Sequence, residues 1–87
     1  MRGLLGRASL PFDEALLLPG SRSIHTFGMR FAISVAWLDA DARVIEVRRL
    51  PPGRLALPRR RGRDVLECAE GAGPEIGERL TIVRRRS

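Results

Sequence analysis

The stretch ISVAWLDADARVIEVRRL, Ile33 to Leu50, decides the fold. Ile33, Val35 and Trp37 alternate with Ser34 and Ala36, and Ala32 continues the alternation upstream. That period of two belongs to a half-buried strand, with Ile33, Val35 and Trp37 as its core face. Asp39-Ala40-Asp41-Ala42 then supplies a turn, because an Asp side chain bonds the backbone just ahead of it. Arg43 to Leu50 reads as a returning strand carried by Val44, Ile45 and Val47. Two strands joined by so short a link predict an antiparallel β-hairpin.

Outward from the hairpin, the punctuation is dense. Pro51-Pro52-Gly53 stops the second strand. Leu55 and Leu57 fit a short edge strand, and Pro58 to Arg63 a polar loop. Val65 to Cys68 reads as another strand, Glu70 to Gly77 as a Gly- and Pro-bearing loop, and Leu80 to Val83 as a last strand. On the other side, Ser23 to Phe31 (SIHTFGMRF) is expected to be mostly extended, with Gly28 at a bulge or close approach. Ala15 to Leu18 is an apolar run of strand length, closed by Pro19-Gly20. Ala8 to Phe12 reads as a loop, and Arg2 to Arg7 as a turn or helical scrap. Many short strands between frequent turns predict a mainly β (β-rich α+β) fold. The expected form is one small curled sheet or partly open barrel of mostly antiparallel strands. The expected organisation is one domain over residues 1–83, followed by an Arg-rich tail at 84–87.

Composition narrows the function classes. The chain has 87 residues, 44% of them apolar and 30% charged. That is enough for one economical core. No apolar run approaches the roughly 20 residues of a membrane-spanning helix. Gly6, Arg7, Asp13 and Glu14 interrupt any signal-peptide core, and Cys68 is the sole cysteine, so a cytoplasmic location is expected. The net charge is +6, and all sixteen basic residues are Arg, as a GC-rich coding sequence tends to leave. Seven of them lie in two clusters, Arg59, Arg60, Arg61 and Arg63, and Arg84 to Arg86. The remaining nine against ten acids leave a body of net charge −1. A nucleic-acid partner is therefore disfavoured, and a solvated loop and tail are the first reading, with an anionic-surface patch as the alternative.

Site chemistry is sparse. His25 is the only histidine, two residues from Ser23 and beside Thr26. On an extended strand Ser23 and His25 share a face about 7 Å apart, too far for a nucleophile and its base in direct contact. No Gly-x-Ser-x-Gly elbow is present. One Cys and one His do not make a structural zinc site, and Asp39 and Asp41 lack calcium-loop spacing. No phosphate-binding glycine motif occurs, and no cofactor is implied. Ser23, His25, Thr26, Met29, Arg30 and Asp39 remain the candidate binding residues, because they mix polar and apolar side chains around Gly28. Phe27, Phe31 and Trp37 read as core before they read as a stacking platform.

The segments RGLLGR (Arg2–Arg7), LPFDEALLL (Leu10–Leu18), SIHTFGMRF (Ser23–Phe31), WLDAD (Trp37–Asp41) and VLE (Val65–Glu67) together resemble the domain of unknown function 192 family, an ancient conserved region. The resemblance spans nearly the whole chain. It implies a compact β-rich fold and carries no activity. Against that pattern, Ser21 stands where relatives often have Cys, Ala32 where they have Pro, and Ser34 where they have Asp. Gly77-Glu78 replaces Gly-Asp, and relatives tend to carry a strand ahead of the first motif. Ala42 stands where the family has a turn Gly, which implies strain if that position needs positive φ. Two readings of different class follow: a binding or structural module centred on residues 23–31, for a protein partner or small ligand, and a small hydrolase using His25 with Ser23 or Thr26.

Overall fold

The computed structural model describes residues 15–20 and 23–81. It contains six strands: β1 (Ala15–Leu18), β2 (Ile24–His25), β3 (Ile33–Leu38), β4 (Val44–Leu50), β5 (Leu55–Ala56) and β6 (Asp64–Ala69). There is no helix among the described residues. All pairings are antiparallel. One sheet has the order β1-β6-β3-β4, and the other consists of β2 and β5. The small antiparallel β fold is as expected, in the form of two sheets that do not close into a barrel. The expected scrap at Arg2–Arg7 and loop at Ala8–Phe12 lie outside the described residues.

The hairpin forms as predicted. Ile33 pairs with Leu50, Val35 with Arg48 and Trp37 with Glu46, and a register shift follows between Trp37 and Leu38. The Asp39 carboxylate closes the turn by accepting the amides of Asp41 (2.8 Å) and Arg43 (3.0 Å). Ala42 is in the left-handed region at φ 61, so the strain implied at that position is present.

β3 departs from expectation in its burial. All six of its residues are buried, not just Ile33, Val35 and Trp37. The reason is its place in the sheet. β6 pairs along its other edge, Val35 with Glu67 and Trp37 with Val65, and apolar side chains cover both faces. On one face Ile33, Val35, Trp37, Leu50 and Val65 pack with Ile24, Met29 and Ala56. On the other, Ala36, Leu38 and Val44 pack with Leu17, Val47, Leu66 and Leu80. The small sheet therefore covers the first face through Ile24 and Ala56.

Three other expectations are corrected. SIHTFGMRF is extended only at Ile24–His25. A turn follows, in which the Met29 amide donates to the Thr26 carbonyl (3.2 Å) and Gly28 takes φ 80. Gly28 is thus a turn residue, and the irregularity in the ladder lies at Trp37/Leu38 instead. The edge strand around Leu55 stops at Ala56. Of the expected last strand, the described Leu80 and Thr81 are not in a strand: a single bridge joins Arg43 and Arg79 just before them, and the Leu80 amide donates to the Ala42 carbonyl (2.9 Å). Residues 82 and 83 lie outside the described residues.

Candidate functional site

Alternation along β2 sets the geometry of the 23–31 segment. Ile24 and Thr26 turn inward and are buried, while Ser23 and Phe27 are exposed and His25 is half-buried. Thr26 is a joint. Its hydroxyl donates to the Pro51 carbonyl (2.6 Å) and accepts the Arg54 amide (2.8 Å). Its backbone amide donates to the Arg54 carbonyl (2.8 Å), and its carbonyl accepts Gly53 N–H (2.9 Å). This hydroxyl is fully engaged inside the protein and is not free to act as a nucleophile. Met29 returns to the core after the Gly28 turn. Arg30 is exposed.

The six candidates do not converge. Ser23, His25, Thr26, Met29 and Arg30 lie before β3, and Asp39 lies at its far end. β3 spans about 17 Å at the usual strand rise. The Arg43 amide, first, holds the Asp39 carboxyl below its usual range against the opposing effect of burial, with smaller help from the Asp41 amide and the Arg43 and Arg79 charges. The His25 ring stacks on Phe27 with centroids 5.1 Å apart, and its Nδ1 is buried without a hydrogen-bond partner.

A contiguous outward face emerges instead on the small sheet. β2 and β5 pair Ile24 with Ala56 and His25 with Leu55. Ile24 and Ala56 point into the core, so His25 and Leu55 point out. Leu57 follows just past the end of β5, and the ring of Phe27 stacks on His25. Phe27, Leu55 and Leu57 are 52%, 56% and 63% exposed, which leaves three large apolar side chains facing solvent together.

The charge in the segments that build this face is of one sign. Residues 23–32 and 51–63 supply the small sheet and its flanking turns. They contain Arg30, Arg54, Arg59, Arg60, Arg61 and Arg63, and no Asp or Glu. Within the expected basic patch, Arg60, Arg61 and Arg63 are exposed. Arg59 is not simply solvated, which corrects that part of the patch. Its guanidinium lies 4.4 Å from the Trp37 ring centre, its Nε donates to Glu46 (2.6 Å) and Nη1 donates to the Leu57 carbonyl (2.6 Å). Trp37 and Glu46 are cross-strand partners, so one side chain serves both. Gly62 allows the turn to close there, with its amide on the Arg59 carbonyl (2.8 Å). A Cβ at Gly62 would already stand 3.0 Å from that oxygen.

Glu67 was missed as a site residue. It is fully buried, and neither carboxylate oxygen has a hydrogen-bond partner. Burial pushes its pKa up to about 7. In its row across the sheet stand Leu16, Val35 and, beyond Val35, the exposed Arg48. The signal was available: period two places Glu67 with Val65 and Ala69, not with the partly polar alternate set. Cys68, on the opposite face, is a buried thiol whose pKa is raised by burial and by the neighbouring Glu67. Gly73 presses on it, since a Cβ there would lie 2.8 Å from the sulfur.

Among the described residues the chain is thus a domain of two antiparallel β-sheets, with exposed apolar side chains on the small sheet and exposed arginines in the turns that adjoin it. It belongs to the DUF192 family, described as "Uncharacterized ACR", whose model matches residues 1–81. It is similar to UPF0127 protein PH1112 of Pyrococcus horikoshii, at 37% identity over 78 residues, which cover 85% of this chain and 68% of that protein. No solved structure matches it. No helix among the described residues is long and apolar enough to cross a membrane, and no group of three or more His, Cys, Asp or Glu there is arranged to hold a metal ion.

Proposed function

We propose that this protein is a binding module whose docking surface is the outer face of β2 and β5. The observation that carries the reading is the combination of exposed Phe27, Leu55 and Leu57 with exposed arginines in the same segments and no acid in those segments. Exposing three large apolar side chains together is unfavourable in water, and a partner that covers them recovers hydrophobic free energy. A field of one sign selects an anionic partner and speeds its approach. In this reading His25 is a contact residue held by Phe27, and Thr26 shapes the loop beneath it. Residues 1–83 act as one domain with 84–87 as an extension, and the sole buried thiol suits a reducing, cytoplasmic setting.

An anionic, apolar dye such as anilinonaphthalene sulfonate tests the surface directly. The folded protein should bind it with enhanced fluorescence, more weakly as salt rises. The double variant Leu55→Ser/Leu57→Ser, verified as folded by its melting curve, should lose most of that signal. Equal dye binding by wild type and the folded variant would refute the reading.

A further inference from the structure

We propose that the partner of the β2–β5 face is the anionic surface of a lipid bilayer, which the protein binds peripherally. This rests on the docking reading above and adds the identity of the occupant. Peripheral binding to a membrane needs apolar side chains that enter the headgroup region and cations at the same level that meet the lipid phosphates. Leu55, Leu57 and Phe27 supply the first. The exposed arginines of the adjoining turns supply the second. Arg54 directly precedes Leu55, Arg60, Arg61 and Arg63 follow Leu57, and Arg30 lies three residues beyond Phe27.

Apolar side chains beside several exposed cations suit an anionic layer with an apolar interior. Two other occupants fit less well. A second copy of this chain would set the exposed guanidiniums of these segments against their own counterparts, with no acid in the segments themselves to compensate. A nucleic acid would use the arginines and could stack on Phe27, but it would leave Leu55 and Leu57 without an apolar counterpart. The arginine side chains themselves favour the interface, because their apolar stems lie along the surface while the guanidinium reaches the phosphates.

The experiment is co-sedimentation of the full chain with vesicles of phosphatidylcholine alone and of phosphatidylcholine mixed with phosphatidylglycerol. The 84–87 tail is kept in every protein so that its contribution cancels. The expected result is binding to the mixed vesicles that weakens with salt, with little binding to the neutral ones. Arg60→Ala and Arg63→Ala should each weaken it by about fivefold, the effect of one cation at an anionic membrane surface. Leu55→Ser/Leu57→Ser should weaken it by more than tenfold. Failure to bind the mixed vesicles, equal binding to both vesicle types, or undiminished binding by the Leu55/Leu57 variant would each overturn the proposal. If the dye above still binds while vesicles do not, the membrane is the wrong partner and the docking face stands. An acidic peptide or an oligonucleotide that then binds the same face would replace it. If dye and vesicles both fail, the docking reading falls as well.

Discussion

Replacing Glu67 with Gln should remove a pH dependence from the stability of the fold. The side chain projects into the space between the two sheets, and neither carboxylate oxygen has a hydrogen-bond partner. Ionising it there costs free energy that the unfolded chain does not face. Its pKa rises from 4.5 to about 7 on folding. Between those values the unfolded chain has released the proton and the folded chain still holds it, so stability falls as pH rises. The contribution is fully present below about pH 4.5 and lost once pH passes about 7. At 1.36 kcal/mol per pKa unit the ceiling is about 3 kcal/mol, and partial solvent screening brings the expectation to about 2 kcal/mol. The assay is urea unfolding of wild type and Glu67→Gln at intervals from pH 4.5 to 7.5. The difference between the two curves isolates this carboxyl from other titrating groups. Asp39 does not confuse the window, since its depressed pKa places its contribution at lower pH, where stability is lost as pH falls. Two curves that run parallel within about 0.5 kcal/mol would show that Glu67 titrates like an exposed carboxylate, and the inter-sheet placement would be wrong.

Thr26→Val keeps the shape but strands the Pro51 carbonyl and the Arg54 amide, so it should cost about 2–3 kcal/mol, while Thr26→Ser should cost about 1 kcal/mol or less; equal losses in denaturant melts would contradict the hydroxyl's role. Arg59→Ala should lose about 1–2 kcal/mol through its contacts with Trp37, Glu46 and Leu57, whereas Arg60→Ala should stay within about 0.5 kcal/mol, and equal melting temperatures for the two would place Arg59 in solvent. Ala42→Gly should stabilise the hairpin by about 0.5–1 kcal/mol by relieving the left-handed backbone, and a lower melting temperature would show that the turn is not strained. Trp37→Ala should cost about 3–5 kcal/mol, and a loss below about 1 kcal/mol would move the indole to the surface.

The central hairpin was legible because its signals are local. Period-two alternation, an Asp that caps its own turn and a Pro-Pro-Gly stop all act within a few residues. The same locality explains why β3 was read as half-buried. Whether its second face is covered depends on β6, about thirty residues away, and on Leu17 and Leu80 at either end of the described chain. Nothing in ISVAWL records those partners: Ser34 and Ala36 are small enough to suit a surface or a tightly packed interior. SIHTFGMRF misled for a related reason. Its residues have strand propensity, but the Gly28 turn reverses the chain after two paired residues, and the partner strand Leu55–Ala56 is equally short. Pairings this brief leave little periodic signal, and tertiary contacts such as the Thr26 hydroxyl decide them.

The site was legible in its ingredients and not in its arrangement. The arginine cluster after Leu57 is plain in the sequence, and so is the near-neutral remainder. Averaging that remainder over the chain hid the decisive feature, which is segregation. Residues 23–32 and 51–63 are separated by the central hairpin, which carries Asp39, Asp41 and Glu46. Only the pairing of β2 with β5 brings the acid-free segments together, while Glu46 from the hairpin pairs with Arg59. The β2–β5 pairing also turns His25 and Leu55 outward on the same face, with Phe27 stacked beside them. Arg59 shows the limit in the opposite direction. Nothing in PRRRGR distinguishes it from Arg60, yet the tight turn at Gly62 lays Arg59 over Trp37 and leaves its neighbours to the solvent. One run of like charges is thereby divided between holding the core closed and meeting a partner. A substitution series along it should separate the two roles, because stability will respond at Arg59 and binding at Arg60.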